Sequence, residues 1–172
     1  VVSGVLIRQI RDALGANVPV VRAMPNTAVS IGESMTCLCS DGAALAEATE
    51  LFEAVGRTLV IEEQMMVPAT ALCACGVAFF LRCVRAASQG GIEIGFHPEE
   101  ALLLAAQTAK GAAALALRQD SHPEGEIDRV TTPRGCTIAG LNEMEHHGLS
   151  SAMIRGITVS AKAAEGLYCS SD

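Results

Sequence analysis

The sequence Asp-Arg-Val-Thr-Thr-Pro-Arg-Gly-Cys-Thr-Ile-Ala-Gly-Leu occupies residues 128–141 and anchors the prediction for the whole chain. Its first half is rich in Thr, Pro and Gly, which is typical of a loop, and its second half begins a helical pattern with Ile138 and Leu141. Backbone N–H groups at the start of that helix, together with the helix dipole, favour a bound carboxylate or phosphate. The Thr137 hydroxyl could either cap the helix or face such an anion. By itself, this local pattern favours an ordinary Thr-capped helix after a Pro-Gly turn over an anion site.

Helical patterns dominate the rest of the second half of the chain. Pro98, followed by two glutamates, is a strong helix start, and Gly90-Gly91 is a typical helix stop. The polar stretch 119–129 is predicted as a loop. The expected helices span residues 65–88, with a bend at Pro68 or Gly76, and residues 98–117, 137–147 and 151–167.

The first third of the chain differs, because short β-branched runs alternate there with amphipathic helical runs. This alternation is typical of the end of a doubly wound α/β sheet. Polar residues 62–64 separate it from the helices, so we expect an α/β domain at 1–63 and a helical domain at 64–172. The expected strands are 1–3, 18–23, 35–39 and 59–61, and the expected helices are 5–14, closed by Gly15, and 43–55, ended by Gly56.

Composition excludes several classes of partner. The net charge is −7 and the basic residues do not cluster, which argues against nucleic acid and against an anionic membrane surface. Seven cysteines without a repeated framework indicate free thiols in the cytoplasm rather than disulfides. Only 3% of the residues are aromatic and Ala takes their place, so helices can pack closely.

The uncharged run 65–81 raises the question of a membrane span. A spanning helix needs about 20 predominantly apolar residues, whereas this run is shorter and contains Pro68, Thr70 and Gly76. We therefore expect no membrane insertion. Helices that are apolar on nearly every face are more often buried in a subunit interface.

Two motifs resemble those of the pyrroline-5-carboxylate reductases. Residues 130–141 are similar to the family's Val-Thr/Ser-Ser-Pro-Gly-Gly-Thr/Ala-Thr-Ile signature, and Val-Arg-Ala-Met-Pro-Asn-Thr at 21–27 is similar to its Arg-x-Met-Pro-Asn-Thr-Pro segment. The spacing of the motifs also fits, as do Gly90-Gly91 and Gly148-Leu149. The resemblance covers nearly the whole chain. It implies a mainly α fold: an all-helical dimerisation domain, like the C-terminal domain of 6-phosphogluconate dehydrogenase, preceded by an α/β remnant of a Rossmann domain.

The resemblance implies hydride transfer from NADPH or NADH to the C=N bond of 1-pyrroline-5-carboxylate, which gives L-proline. Family members begin with a dinucleotide-binding Gly-x-Gly-x-x-Gly motif, and this motif does not occur in the 172 residues. We therefore expect a truncated form that binds NADP or NAD poorly and is inactive alone. The resemblance also implies a homo-oligomer, at least a dimer, that forms through the helical domain.

The resemblance also assigns the residues of the site. The backbone around Thr132, Gly135, Cys136 and Thr137 would hold the substrate carboxylate, and the Thr137 hydroxyl, the catalytic group, would hydrogen-bond the ring nitrogen. The other expected contacts are Thr70 and Gly76 with the substrate and Met24 and Asn26 with the cofactor.

This sequence departs from the family pattern at several of these positions. Arg134 stands where the family usually has the first Gly of Pro-Gly-Gly, and because arginine adopts a positive φ only at a cost, we expect either a different turn or a position that is not left-handed. Its guanidinium could assist the carboxylate or stay in solvent. Cys73 and Cys75 replace serines and Val77 replaces a proline, which makes the segment 69–79 more apolar while its side chains stay small.

Structural explanations remain open for these residues. Asn26 could be a turn residue after a strand, and small residues at 69–79 could serve close packing alone. The pairs Cys37/Cys39 and Cys73/Cys75 invite a zinc hypothesis, but helical spacing would splay the second pair, so we expect no metal.

Two other functions also remain open. One is a helical oligomerisation module without catalysis, which could tolerate any capped turn at 131–137. The other is a different enzyme of the 6-phosphogluconate and hydroxyacid dehydrogenase-like group. Those enzymes commonly use a lysine as acid and base, and Lys110 and Lys162 both lie far from the loop in sequence.

Overall fold

The computed structural model describes residues 4–15, 18–40, 42 and 44–168. The expected strand at 1–3 lies outside these residues. The chain divides into two compact units, Val1–Val77 with Ile154–Asp172, and Ala78–Met153. Helices dominate and the only sheet among the described residues has three strands, so the predicted mainly α class with an α/β remnant is confirmed.

The sheet of the first unit has the order β1-β2-β3, with β1 spanning Val21–Met24, β2 Ser34–Ser40 and β3 Gly56–Val60. β1 pairs antiparallel with β2, and β3 pairs parallel with β2. Two helices accompany the strands, α1 at Ile7–Leu14 and α2 at Leu45–Glu53. Gly15 ends α1 with φ 91°, a backbone conformation that glycine adopts without strain.

The core of the first unit lies against the β2 strand. Cys37, Leu38 and Cys39 are at most 3% exposed, and Met66 joins the same core from beyond the strands at 1% exposure. The start of the long helical segment therefore packs into the same hydrophobic core as the sheet. The compact unit accordingly continues to Val77, whereas the domain boundary that we propose from the polar break lies at 63/64.

The long helical segment changes its geometry along its length. A 3₁₀ turn, Glu63–Met65, leads into α3, Met66–Ala69; a π-turn follows at Thr70–Ala74, and then α4 at Gly76–Glu93. The predicted stop at Gly90-Gly91 is wrong, because α4 runs through both glycines and the chain turns only at Gly95, φ 113°. Gly91 serves packing instead, since a Cβ built there would lie 3.0 Å from the Ala101 Cβ.

Four further helices complete the fold: α5 at Pro98–Ala116, α6 at Pro123–Val130, α7 at Cys136–His146 and α8 at Leu149–Tyr168. The predicted loop at 119–129 is wrong, because α6 occupies most of it. The His122 side chain caps α6 by accepting a hydrogen bond from the Glu124 N–H at 3.2 Å, and Pro123 supplies the preorganised first position. The polarity of this stretch therefore reflects a capped helix with acidic residues in its first turn.

Candidate functional site

The loop before α7 is a tight turn. The Gly135 N–H donates to the Thr132 carbonyl oxygen at 2.9 Å, and Arg134 adopts φ 59°. Pro133 in the second position and a positive φ in the third are typical of a type II turn, in which glycine usually takes the third position. The expectation that Arg134 is not left-handed is wrong, because this non-glycine residue adopts the left-handed conformation in the turn.

Gly135 is the N-cap of α7 and has no side chain with which to cap it. A Cβ at this position would lie 2.4 Å from Thr132 Oγ1 and 3.0 Å from the Thr132 carbonyl oxygen, so only glycine fits beside this threonine. The first backbone N–H groups of α7 therefore have no side-chain acceptor from the N-cap residue. This helix end lies next to the exposed side chains of Thr132 and Arg134, and an uncapped helix start of this kind is suited to accept an anion.

The loop brings the four expected anion-site residues together at the start of α7. The helix begins at Cys136, one residue earlier than expected, so Cys136 is its first residue and Thr137 its second. Thr137 is therefore not the N-cap, and the capping alternative for its hydroxyl is wrong. The Cys136 thiol is exposed, and Thr137 is half-buried.

The remaining expected site residues lie in the other compact unit, where Asn26 connects β1 to the π-turn. Its side-chain Nδ2 donates to the Cys73 carbonyl oxygen at 3.4 Å, and its Oδ1 accepts from the Ala28 N–H at 3.0 Å. Its backbone N–H donates to Ser34 Oγ at 3.2 Å. Asn26 is thus more than a turn residue, because it fixes the motif after β1 against the segment that carries Thr70 and Gly76.

The structure places the other three expected contacts as follows. Met24 is 6% exposed inside the core, which leaves little of this residue available for the contact expected with a cofactor. The Thr70 hydroxyl donates to the Met66 carbonyl oxygen at 2.8 Å within its own helix and keeps its lone pairs free to accept. Gly76 is buried directly after the π-turn.

The π-turn itself was not predicted from the sequence. The Cys75 N–H donates to the Thr70 carbonyl oxygen at 3.0 Å, which is an i to i+5 bond. Such bulges are rare in helices and frequent at functional sites. Small residues on either side of Leu72 were the available signal, but they indicated close packing as readily as a change of helical geometry.

Arg22, the arginine of the first motif, has a structural role in this fold. Its guanidinium Nη1 lies 2.9 Å from Glu63 Oε1, and the same oxygen accepts from the Ile7 N–H at 2.8 Å at the start of α1. One carboxylate thus joins β1, α1 and the start of the long helical segment. The arginine side chain is 6% exposed and the glutamate side chain 34% exposed, so the guanidinium is shielded from water while the carboxylate stays partly solvated.

Two thiols meet between β2 and the π-turn. Cys37 Sγ lies 4.0 Å from Cys73 Sγ, and burial together with the neighbouring Cys73 raises the pKa of Cys37 to about 11. Cys37 and Cys39 are both buried, as expected for one face of a strand. The described part of the chain contains no cluster of three His, Cys, Asp or Glu side chains suited to a metal.

Much apolar surface of the helices faces outward. The continuous helical stretch Glu63–Glu93 is long and apolar enough to cross a membrane by length and composition alone, and 11% of its most apolar window is buried. In the second unit, a cavity of about 550 Å³ between α4 and α5 is lined almost entirely by apolar side chains such as Phe80, Val84 and Leu104. Surface of this kind is typical of a subunit interface.

Comparisons with known proteins agree with this architecture. Residues 63–167 match the family model described as pyrroline-5-carboxylate reductase dimerisation. The chain is 57% identical to pyrroline-5-carboxylate reductase 1 of Dictyostelium discoideum, covering 98% of this chain and 33% of that protein. It is 52% identical to pyrroline-5-carboxylate reductase 2 of the same organism, covering 94% and 60%.

Among solved structures, the pyrroline carboxylate reductase of Plasmodium falciparum with NADP bound has the same fold. Its TM-score is 0.88 at 23% identity, over 96% of this chain and 68% of that chain. The chain spans a third to three fifths of the length of the two Dictyostelium relatives. Because the family model covers more than half of its residues, the chain belongs to the pyrroline-5-carboxylate reductase family.

Proposed function

We propose that the protein is a pyrroline-5-carboxylate reductase, which transfers a hydride from NADPH or NADH to the C=N carbon of 1-pyrroline-5-carboxylate and so makes L-proline. The proposal is supported by family membership and by relatives of that name at up to 57% identity. The observation that carries it is the start of α7, where a glycine N-cap leaves the first amides without a side-chain cap beside Thr137. The family match decides against another dehydrogenase of the 6-phosphogluconate type.

The substrate is small, with one carboxylate and one ring nitrogen that is cationic when protonated, so the enzyme must mainly orient it and exclude water. We assign the carboxylate to the backbone amides of Gly135, Cys136 and Thr137, with Thr132 beside them. The Thr137 hydroxyl then hydrogen-bonds the ring nitrogen and fixes which face of the imine carbon is exposed to attack.

Bound NADPH or NADH supplies the hydride in this scheme. This chain's contribution to the nicotinamide end would be the backbone at Met24 and the Asn26 side chain, which is already fixed by its bonds to Cys73 and Ala28. The phosphate-cradling glycine motif does not occur in the 172 residues, so we expect this chain to bind the dinucleotide weakly by itself. NADPH and NADH are both retained as donors.

The rival function, a non-catalytic oligomerisation module, is favoured by the apolar surface of the second unit. A non-catalytic module would also explain the match to a dimerisation domain, and it does not require the backbone amides at 135–137 to bind a ligand. We infer that the apolar helices serve homo-oligomerisation, at least to a dimer, in a cytoplasmic enzyme outside the membrane. Catalysis and assembly then use different parts of the same helical domain.

The decisive experiment is Thr137→Val in the intact enzyme. One hydrogen bond to a charged group is at stake, about 1.5–3 kcal/mol, so turnover should fall about 10- to 100-fold. The matched control is Thr49→Val on α2, which also replaces a helical hydroxyl, here bonded to the Leu45 carbonyl oxygen at 2.8 Å. Wild-type turnover in a correctly folded Thr137→Val enzyme would remove the proposed role of Thr137, whereas an intact wild-type protein that assembles but shows no turnover would favour the oligomerisation module.

A further inference from the structure

Cys37 and Cys73 approach each other from two different elements. Cys37 lies in the middle of β2, where its backbone is paired with Met24 of β1 on one side and Leu59 of β3 on the other. Cys73 lies in the π-turn, and its carbonyl oxygen accepts from Asn26. The two sulfur atoms are 4.0 Å apart, although 36 residues separate them in sequence.

We propose that Cys37 and Cys73 form an oxidisable pair, which a hydroperoxide converts into an intramolecular disulfide between β2 and the π-turn. A disulfide needs sulfur atoms about 2 Å apart, so the pair must close by about 2 Å. The backbone of Cys37 is held by strand pairing on both sides. The movement therefore comes from side-chain rotation and from the π-turn, whose i to i+5 bonding departs from the regular helix.

The two thiols differ in their exposure to solvent, and this difference determines which of them an oxidant reaches first. Cys73 is half-buried and can meet a small oxidant, whereas Cys37 is 2% exposed. The raised pKa of Cys37 keeps this thiol protonated at neutral pH, so it is also a poor first nucleophile. Cys73 is thus the sulfur that is oxidised first, and Cys37 is the one that resolves it.

The chemistry takes place in two balanced steps. The Cys73 thiol gives up its proton to water, and the thiolate attacks the hydroperoxide, so that an S–O bond forms, the O–O bond breaks and the departing hydroxide takes a proton to become water. The Cys37 sulfur then attacks Cys73, an S–S bond forms, the S–O bond breaks and the hydroxide leaves with the Cys37 proton as a second water. With hydrogen peroxide, two thiols and one peroxide give one disulfide and two waters.

The disulfide would attach the π-turn covalently to the sheet. At present the turn is held to this part of the sheet by the Asn26 side chain and by the contact between the two sulfurs. The modification itself does not depend on the proposed reductase activity. If that activity is correct, the same disulfide would fix the segment that carries Thr70 and Gly76, which are the proposed substrate contacts. Oxidation would then change the mobility of this segment and with it the activity of the enzyme.

Peptide mapping tests the pair directly. The protein is treated with increasing hydrogen peroxide, the remaining thiols are blocked, and tryptic peptides are analysed without reduction. Arg57 lies between the two cysteines, so the expected product joins peptides 23–57 and 58–82. Fragmentation should place the link at Cys37 and Cys73, with the loss of two hydrogens, and dithiothreitol should restore both thiols.

Two variants complete the test. Cys73→Ser should abolish the cross-link while the protein stays folded by circular dichroism, and Cys75→Ser should leave it intact, because Cys75 is a second half-buried thiol of the same peptide. The proposal is overturned if wild-type Cys73 proceeds to sulfinic acid without cross-linking. It is equally overturned if the link involves Cys39 or Cys75, or persists in Cys73→Ser.

Discussion

The two compact units differ in their buried polar pairs and in their apolar cavities. In the first, buried polar side chains are paired: Arg22 with Glu63, and Ser34 Oγ with Thr36 Oγ1 at 3.1 Å. Large apolar side chains face outward in both units, such as Leu51, 68% exposed, and Leu103, 69% exposed, but the apolar cavity of about 550 Å³ lies between α4 and α5 of the second unit. A buried polar pair has its partner within the same chain, whereas an exposed apolar face still lacks the surface that would cover it.

This difference separates two sources of stability. The first unit derives its stability from intramolecular packing and strand register, so changes in it should act at any protein concentration. We propose that association covers the apolar cavity of the second unit, so changes in this unit should act through the monomer–dimer equilibrium. Each prediction below distinguishes these two sources.

The largest effect is expected for Gly56→Ala in the first unit. Gly56 adopts φ 152°, and an added Cβ would lie 2.1 Å from the Ser34 carbonyl oxygen, which is backbone and cannot move without separating β3 from β2. We expect a loss of about 3–4 kcal/mol in the free energy of unfolding, independent of concentration. Gly125→Ala is the matched control, since nothing lies within 4 Å of the added Cβ. Equal urea midpoints for the two variants would contradict this account of the sheet.

The second unit should respond to Leu103→Glu on α5. Wild type should be at least a dimer at micromolar concentration. A charge placed in the interface should cost about 3 kcal/mol, which raises the dimer dissociation constant roughly 100-fold. Leu14→Glu is the control, because Leu14 is 61% exposed on α1 of the first unit and its replacement should leave assembly unchanged. Light scattering that shows a stable, folded wild-type monomer would remove the dependence on association.

A ligand experiment tests the uncapped start of α7. L-proline should bind this chain with a dissociation constant in the millimolar range or weaker, because the remainder of the enzyme that would close over the ligand does not contribute. The expected signature is a set of chemical-shift changes at the amides of Gly135, Cys136 and Thr137. The variant Thr137→Val tests whether L-proline binding depends on the Thr137 hydroxyl, and Arg134→Gly tests whether the guanidinium contributes to binding the carboxylate. Changes elsewhere, with these three amides unmoved at saturation, would contradict the site assignment.

The smallest effect is expected for the stability of Arg134→Gly. Glycine relieves the cost of φ 59°, about 1–2 kcal/mol, but increases the entropy of the unfolded chain by about 0.4–1 kcal/mol. The net gain should therefore be about 0.5–1 kcal/mol by chemical denaturation. A destabilised variant would show that the Arg134 side chain contributes more to the turn than its backbone conformation costs.

Sequence patterns predicted the features that a few neighbouring residues determine, such as helix starts, helix ends and turns. Pro98 with its glutamates located the start of α5, Gly15 the end of α1, and the Thr-Pro-Arg-Gly segment the loop before α7. The polar stretch 119–129 misled because a His122 cap and a short acidic helix have nearly the composition of a loop.

Long-range features could not be predicted in this way. The bonds of Asn26 to Cys73 and of Glu63 to Arg22 and to the start of α1 join residues more than 40 positions apart. The π-turn depends on that same packing of the helical segment against the sheet. For the proposed site, the motifs supplied the candidate residues, and only the fold revealed that Asn26 is bonded to the segment that carries Thr70.

The glycine N-cap of α7 has a thermodynamic consequence. A helix whose first amides lack a side-chain acceptor frays at that end, and a bound anion takes over the missing cap. If the start of α7 binds an anion as we propose, occupancy of the site and order of the first turn are linked, so each carboxylate or sulfate in the buffer would stabilise the folded state according to its concentration relative to its dissociation constant. For this protein, the choice of buffer anion is therefore an experimental variable, and a melting temperature is comparable only between solutions of the same anion content.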